Sequence, residues 1–191
     1  MNEIFLVFIG ACLVNNLVLD YLVGVSPALA SSRRFETALG LSLAMLLLVP
    51  LTTLSTHLLY HFILVPYELE FLQVLAFVIC IVFICYLFEL CLRRFRPSLH
   101  QRVTVFIPLL MVNSALLGVA LLNTLSDRGM LIAGALSVGS ALGFGLLVLS
   151  LSALRERLEV ADIPEMFRGP SITVLTLGIL SMAFSGFAGM N

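Results

Sequence analysis

The chain has 191 residues, of which 61% are apolar and only 11% charged, and its formal net charge is −1. A water-soluble domain is excluded, because soluble proteins carry about 25% charged residues to face water. One compact helical body is expected at this length, with no space for a catalytic ectodomain between its apolar segments and no charge excess to suggest nucleic acid as a partner.

Stretches free of Asp, Glu, Lys and Arg mark the spans in chain order. The first runs from Ile4 to Leu19 and resumes after Asp20 as far as Ser32. The others are Thr37 to Tyr67, Phe71 to Phe88, Val103 to Ser126, Gly129 to Leu154 and Gly169 to Asn191. Each holds a helix of ~20 residues, the length that crosses a ~30 Å hydrocarbon core. All-round apolarity excludes the alternating pattern of a barrel strand, and only a helix or closed barrel satisfies its backbone in lipid. The expected fold is therefore an all-α integral membrane protein of six transmembrane helices, forming one polytopic domain over 1–191.

The loops fix an orientation. Every basic residue is an arginine, and Arg33, Arg34, Arg93, Arg94, Arg96, Arg102, Arg155, Arg157 and Arg168 fall in the first, third and fifth loops. The opposite side has Arg128 alone, with Glu3, Glu68, Glu70 and Asp127. Short loops rich in arginine stay in the cytoplasm, so both termini are expected outside it.

Two regions do not read as simple rods. Asn15, Asn16, Gly24 and Pro27 interrupt the first, and Pro108, Asn113, Ser114 and Gly118 the fourth. Proline lacks an N–H donor, and an amide side chain finds no partner in lipid. Val14-Asn15-Asn16 echoes Val112-Asn113-Ser114 at a spacing of 98 residues, whereas aligning Ser26 with Ser114 gives 88. Three spans per half, roughly 1–98 and 99–191, make an inverted repeat with broken first and fourth helices, the arrangement that places a site near the midplane. Unrelated helices joined by polar packing residues give the same pattern.

Among polar residues, Asp20 reads as an ion or proton station, or as a carboxylate reaching headgroups or a loop arginine. Asn15, Asn16 and Asn113 either line an ion pathway or cap broken backbone. His57 and His61 are four residues apart but lack an evident third metal ligand, and read as interfacial. Cys12, Cys80, Cys85 and Cys91 include no C-x-x-C pair and read as small hydrophobes. No P-loop, dinucleotide fingerprint, zinc-protease motif or nucleophile elbow occurs, so no independent catalysis is expected.

The ordered set Leu13-Val14-Asn15-Asn16, Gly24, Pro27 and Glu36-Thr37-Ala38, then Pro108, Asn113 and Leu117-Gly118-Val119-Ala120-Leu121-Leu122-Asn123 carries a family resemblance. It continues through Arg155-Glu156-Arg157-Leu158, Val160-Ala161-Asp162-Ile163-Pro164, Phe167-Arg168-Gly169, Ala183-Phe184 and Gly186-Phe187. Together these resemble the A-type member of the Rnf electron-transport complex, end to end. The E-type member of the sodium-pumping NADH:quinone reductase is similar too, but the fifth loop favours the Rnf protein. The resemblance implies a bacterial inner-membrane protein with both termini periplasmic, paired with the paralogous E-type Rnf protein of opposite topology and with the B, C, D and G components. It implies work on ferredoxin- or NADH-class redox partners coupled to sodium or proton movement, with no flavin in this chain. It also implies a [2Fe–2S] cluster shared with the paralogue, two cysteines coming from each protein. Those cysteine positions fall at Ser26 and Ser114, so the chain departs from the pattern at both. A stand-alone secondary transporter and a non-redox scaffold of the same pump are the alternative functions.

Overall fold

The computed structural model describes residues 2–95, 107–125, 129–162, 164, 167 and 169–186. Arg96, Arg102, Asp127, Arg128, Arg168 and Asn191 lie outside the described residues, as does the side chain of Glu3.

All regular structure among the described residues is helical. Helix α1 spans Asn2–Ile9 and continues as a π turn over Gly10–Val14, α2 is Leu17–Asp20 and α3 is Val25–Ser31. Helix α4, Phe35–Leu59, also ends in a π turn, over Tyr60–Leu64, and α5 is Gln73–Phe95. Then follow α6 (Ile107–Met111), α7 (Ser114–Leu125), α8 (Met130–Val160) and α9 (Pro170–Ser185). Four segments are long and apolar enough to cross a membrane: 35–64, 70–94, 107–125 and 130–160. The first and last apolar regions carry shorter helices, Ile4–Val14 and Pro170–Ser185. In the first, the chain breaks twice, at Asn15 and again before Gly24, into three pieces, as the interruptions in its sequence lead one to expect.

The body is organised around α4 and α8. Leu41, Met45 and Leu48 from α4 are buried with Leu147, Val148 and Leu151 from α8, and Leu116 and Val119 of α7 join the same core. Leu43, Leu47, Phe83 and Ile179 stay exposed, as expected of lipid-facing surfaces. Of the buried hydroxyls, those of Ser42, Thr52 and Thr56 donate to carbonyls of their own helix one turn back, whereas those of Thr53 and Ser152 have no partner among the described residues.

At the arginine-rich end the helices are tied together by polar bonds. The Arg155 Nη1 donates to the Leu29 carbonyl at 2.9 Å and to Ser32 Oγ at 2.8 Å. The Phe35 N–H donates to Glu156 Oε1 at 3.3 Å, so the end of α8 holds both sides of the turn between α3 and α4. Thr37 closes that turn by donating to the carbonyls of Ser31 and Arg34. The run Arg155-Glu156-Arg157, legible in sequence as a loop, is the last part of a long helix.

Candidate functional site

The two helix breaks meet. At the first, Asn16 stands just before α2 in extended conformation, and its Oδ1 accepts the Val18 N–H at 3.1 Å. At the second, Asn113 Oδ1 accepts the Ala115 N–H at 2.9 Å at the start of α7. Each amide caps an N–H that the interrupted helix leaves without an intrahelical partner. Both side chains are buried, and both use the NH2 group to reach a central helix. Asn16 Nδ2 donates to the Gly143 carbonyl of α8 at 3.0 Å, and Asn113 Nδ2 to Met45 Sδ of α4 at 3.2 Å.

These contacts are crosswise. Asn113 follows Asn16 by 97 residues, and Gly143 follows Met45 by 98. The first break is fixed to the helix of the second half and the second break to the helix of the first. By role, Asn16 corresponds to Asn113, a register one residue short of the 98 suggested by the Val-Asn echo. The physical reason is the cap: only the residue whose side chain faces the free N–H at the start of the next helix does that job.

Ser26 and Ser114, 88 residues apart, lie in segments that a different contact joins. Ser114 Oγ accepts the Gly24 N–H at 2.9 Å, which puts the turn leading into α3 against the start of α7. Gly24 has φ +82°, in the left-handed region, and a Cβ there would lie 2.8 Å from Ala115 Cβ and 3.1 Å from Phe144. Glycine is required by both conformation and space. Ser26 and Ser114 are both exposed on the outside of this chain.

The other sequence candidates separate. Asn15 is exposed and lines a cavity of about 520 Å³ with Gly10, Leu17, Tyr21, Leu136 and Ser140, among others. Asp20 ends α2, is exposed, and its carboxylate accepts no hydrogen bond from the described residues. Asn16 and Asn113 serve as caps and cross-helix ties, which satisfies both ends of each amide within the protein. His57 is buried and its Nδ1 lies 3.4 Å from Asn123 Nδ2, while His61 is exposed. His57, read from the sequence as interfacial, is instead buried beside α7, and His61 is on the surface.

Sequence reasoning passed over Gly139 and Gly143, although their spacing on α8 carried the signal. A Cβ at Gly139 would stand 2.5 Å from the Phe8 carbonyl oxygen, and one at Gly143 would stand 2.6 Å from that of Cys12. The pair is a G-x-x-x-G stripe, which lets helix backbones approach closely in membranes. It forms the seat of the broken first helix.

The family description "Rnf-Nqr subunit, membrane protein" matches residues 4–191. The chain belongs to the Rnf-Nqr family. Proteins named as the A component of the ion-translocating oxidoreductase complex, from Alkalilimnicola ehrlichii and Pseudoalteromonas atlantica, are each 40% identical to it over 190 residues, covering 100% of this chain and 98% of theirs. The protein of that name from Pseudomonas aeruginosa is 39% identical over 191 residues, with the same coverage. The Rnf-Nqr resemblance read from the ordered motifs is thereby borne out along the whole chain.

An iron–sulfur cluster does not fit the residues at the junction. Such clusters are held by thiolates, and serine is a harder ligand that is far less readily deprotonated. Ser114 Oγ already accepts the Gly24 N–H. The free cysteines stand elsewhere: Cys12 is in the π turn after α1, and Cys80, Cys85 and Cys91 are on α5.

Proposed function

We propose that this chain is the A-type membrane component of an ion-translocating oxidoreductase complex, in a bacterial inner membrane. The observation that carries this reading is that relatives bearing that name align with this chain over its whole length. The electron-transfer reactions belong to the assembled complex, and the motifs of independent catalysis are lacking in the sequence. Purifying the tagged chain from its own membranes tests the assignment. Soluble redox proteins and ion-dependent electron transfer are expected to accompany it, and a chain that purifies alone and transports a solute by itself would overturn the reading in favour of a secondary transporter.

Within the complex, the exposed face around Ser26 and Ser114 is the surface we assign to the paralogous E-type protein. Polar groups from two helix breaks are costly against lipid and need protein or water beside them. The crosswise bonds Asn16–Gly143 and Asn113–Met45 support halves related by an inverted repeat. With serine at both ligand positions, this chain shapes and steadies the junction and supplies no cluster thiolates. The B, C, D and G components carry the remaining roles of the pump.

The arginine distribution supports both termini outside the cytoplasm. A cysteine added after Asn191 should react with an impermeant thiol reagent in intact cells whose outer membrane has been made permeable. Reaction only after the inner membrane is opened would reverse the orientation.

Asp20 is the ion-coupling candidate in this chain, since its exposed carboxylate at a helix break offers hard oxygen ligands to a cation or holds a proton. Asp20→Asn keeps the size and removes the charge. Ion pumping per electron in sealed vesicles is expected to fall several-fold with assembly intact, and unchanged pumping would make Asp20 a boundary residue.

A further inference from the structure

The arginine-rich end of the molecule carries a cavity of about 450 Å³ between the end of α3, the end of α8 and the start of α9, with Arg33, Arg155 and Glu159 in its lining. A second cavity, of about 420 Å³, shares Arg155, Glu159, Gly169 and Thr173 with it. That second cavity in turn shares Leu158, Ala161 and Ile172 with a groove of about 470 Å³ between α8 and α9. The groove walls are apolar as far as Ala183, and Arg157 stands at its mouth. A charged chamber thus adjoins a largely apolar groove.

Length and charge restrict the occupant. From Ile172 to Ala183 helix α9 rises roughly 16 Å, about half of a ~30 Å hydrocarbon core, which is the depth of one leaflet. A groove of about 470 Å³ along that length has room for a hydrocarbon chain. Among the described residues lining the polar end, Arg33 and Arg155 outnumber Glu159. Arg155 Nη1 is taken up by Leu29 and Ser32, which fixes the guanidinium in place while leaving its other nitrogens as donors.

We propose that this end of the protein binds one anionic phospholipid. Its phosphate lies against Arg155 and Arg33, and one acyl chain fills the α8–α9 groove. Glu159 is the acidic side chain in both polar cavities and suits a glycerol headgroup, whose hydroxyls donate to a carboxylate while the phosphate stays on the arginines. The lipid would join two elements that otherwise meet through few side chains, α9 and the end of α8.

The full chain in mild detergent, titrated with dioleoyl-phosphatidylglycerol or dioleoyl-phosphatidylcholine and read by native mass spectrometry, tests this. The anionic lipid is expected to be retained at least about fivefold more strongly, the effect of roughly one cationic contact at a membrane surface. Arg33→Gln should remove most of that preference. Arg155→Gln should do so as well, and because it also breaks a tie to α3, Arg33→Gln is the decisive charge variant. Ala183→Phe, which fills the groove without touching charge, should weaken both lipids. Equal retention of the two lipids would overturn the proposal, as would indifference to Ala183→Phe. Displacement of the lipid by glycerol phosphate at matched concentration would reduce the site to a free-anion site and also overturn it. So would a segment of a neighbouring protein found in the groove by cross-linking from position 183 in the intact complex.

Discussion

Gly143→Val is expected to lower the unfolding midpoint of the detergent-solubilised protein sharply, while Gly134→Ala on the same helix raises it slightly. The Cβ introduced at 143 would lie 2.6 Å from the Cys12 carbonyl oxygen, which is backbone, and 3.0 Å from Asn16 Nδ2, a buried amide tied to the Gly143 carbonyl. The first broken helix must move away from α8, and the move breaks the Asn16–Gly143 bond of 3.0 Å. Overpacking of a close contact costs about 1–3 kcal/mol. An unpaired buried amide donor adds about 1–3 kcal/mol. At Gly134 a Cβ meets nothing within 4 Å, so alanine there gains only the roughly 0.5–1 kcal/mol of helix propensity. Thermal unfolding followed by circular dichroism measures both. Equal midpoints for the two variants would show that the G-x-x-x-G stripe does not seat the first helix.

The second large effect concerns iron. The complex containing this chain as it stands is expected to show no [2Fe–2S] signal from the junction, whereas Ser26→Cys combined with Ser114→Cys should create the two thiolate positions that the resemblance places there. One support is ligand chemistry: a thiol with pKa near 8.5 is deprotonated by a metal with ease, and a hydroxyl is not. The other is geometry, since the 2.9 Å bond from Gly24 N to Ser114 Oγ already brings the two segments together and both serines face outward. Iron analysis and electron paramagnetic resonance of the two complexes, compared at equal protein content, decide it. A full cluster signal from the junction with the serines in place would refute the role given to the thiolates. Each single substitution should give little or none, because a four-thiolate cluster with one ligand missing is poorly held.

What the sequence determined by itself follows from local chemistry. Apolar runs of membrane length, the placement of every arginine and the interruptions at Asn15, Asn16, Gly24, Pro108 and Asn113 are written into the order of residues, because lipid leaves the chain few ways to satisfy its backbone. The family was legible too, since its motifs recur in order along the whole chain. What only the tertiary structure decided was which polar residues act together. Asn15 and Asn16 are neighbours of identical type, yet one lines a cavity and the other caps α2 and holds Gly143, a difference set by which face of the chain meets α8. His57 looks like its neighbour His61, yet it is buried beside Asn123 of α7 while His61 is exposed. Ser26 and Ser114 lie 88 residues apart, and their segments meet through the Gly24–Ser114 bond, at a left-handed turn that would strain any side chain at position 24. Periodicity and spacing describe one helix at a time. The junction is a property of two breaks facing each other across α4 and α8, and that is fixed by packing.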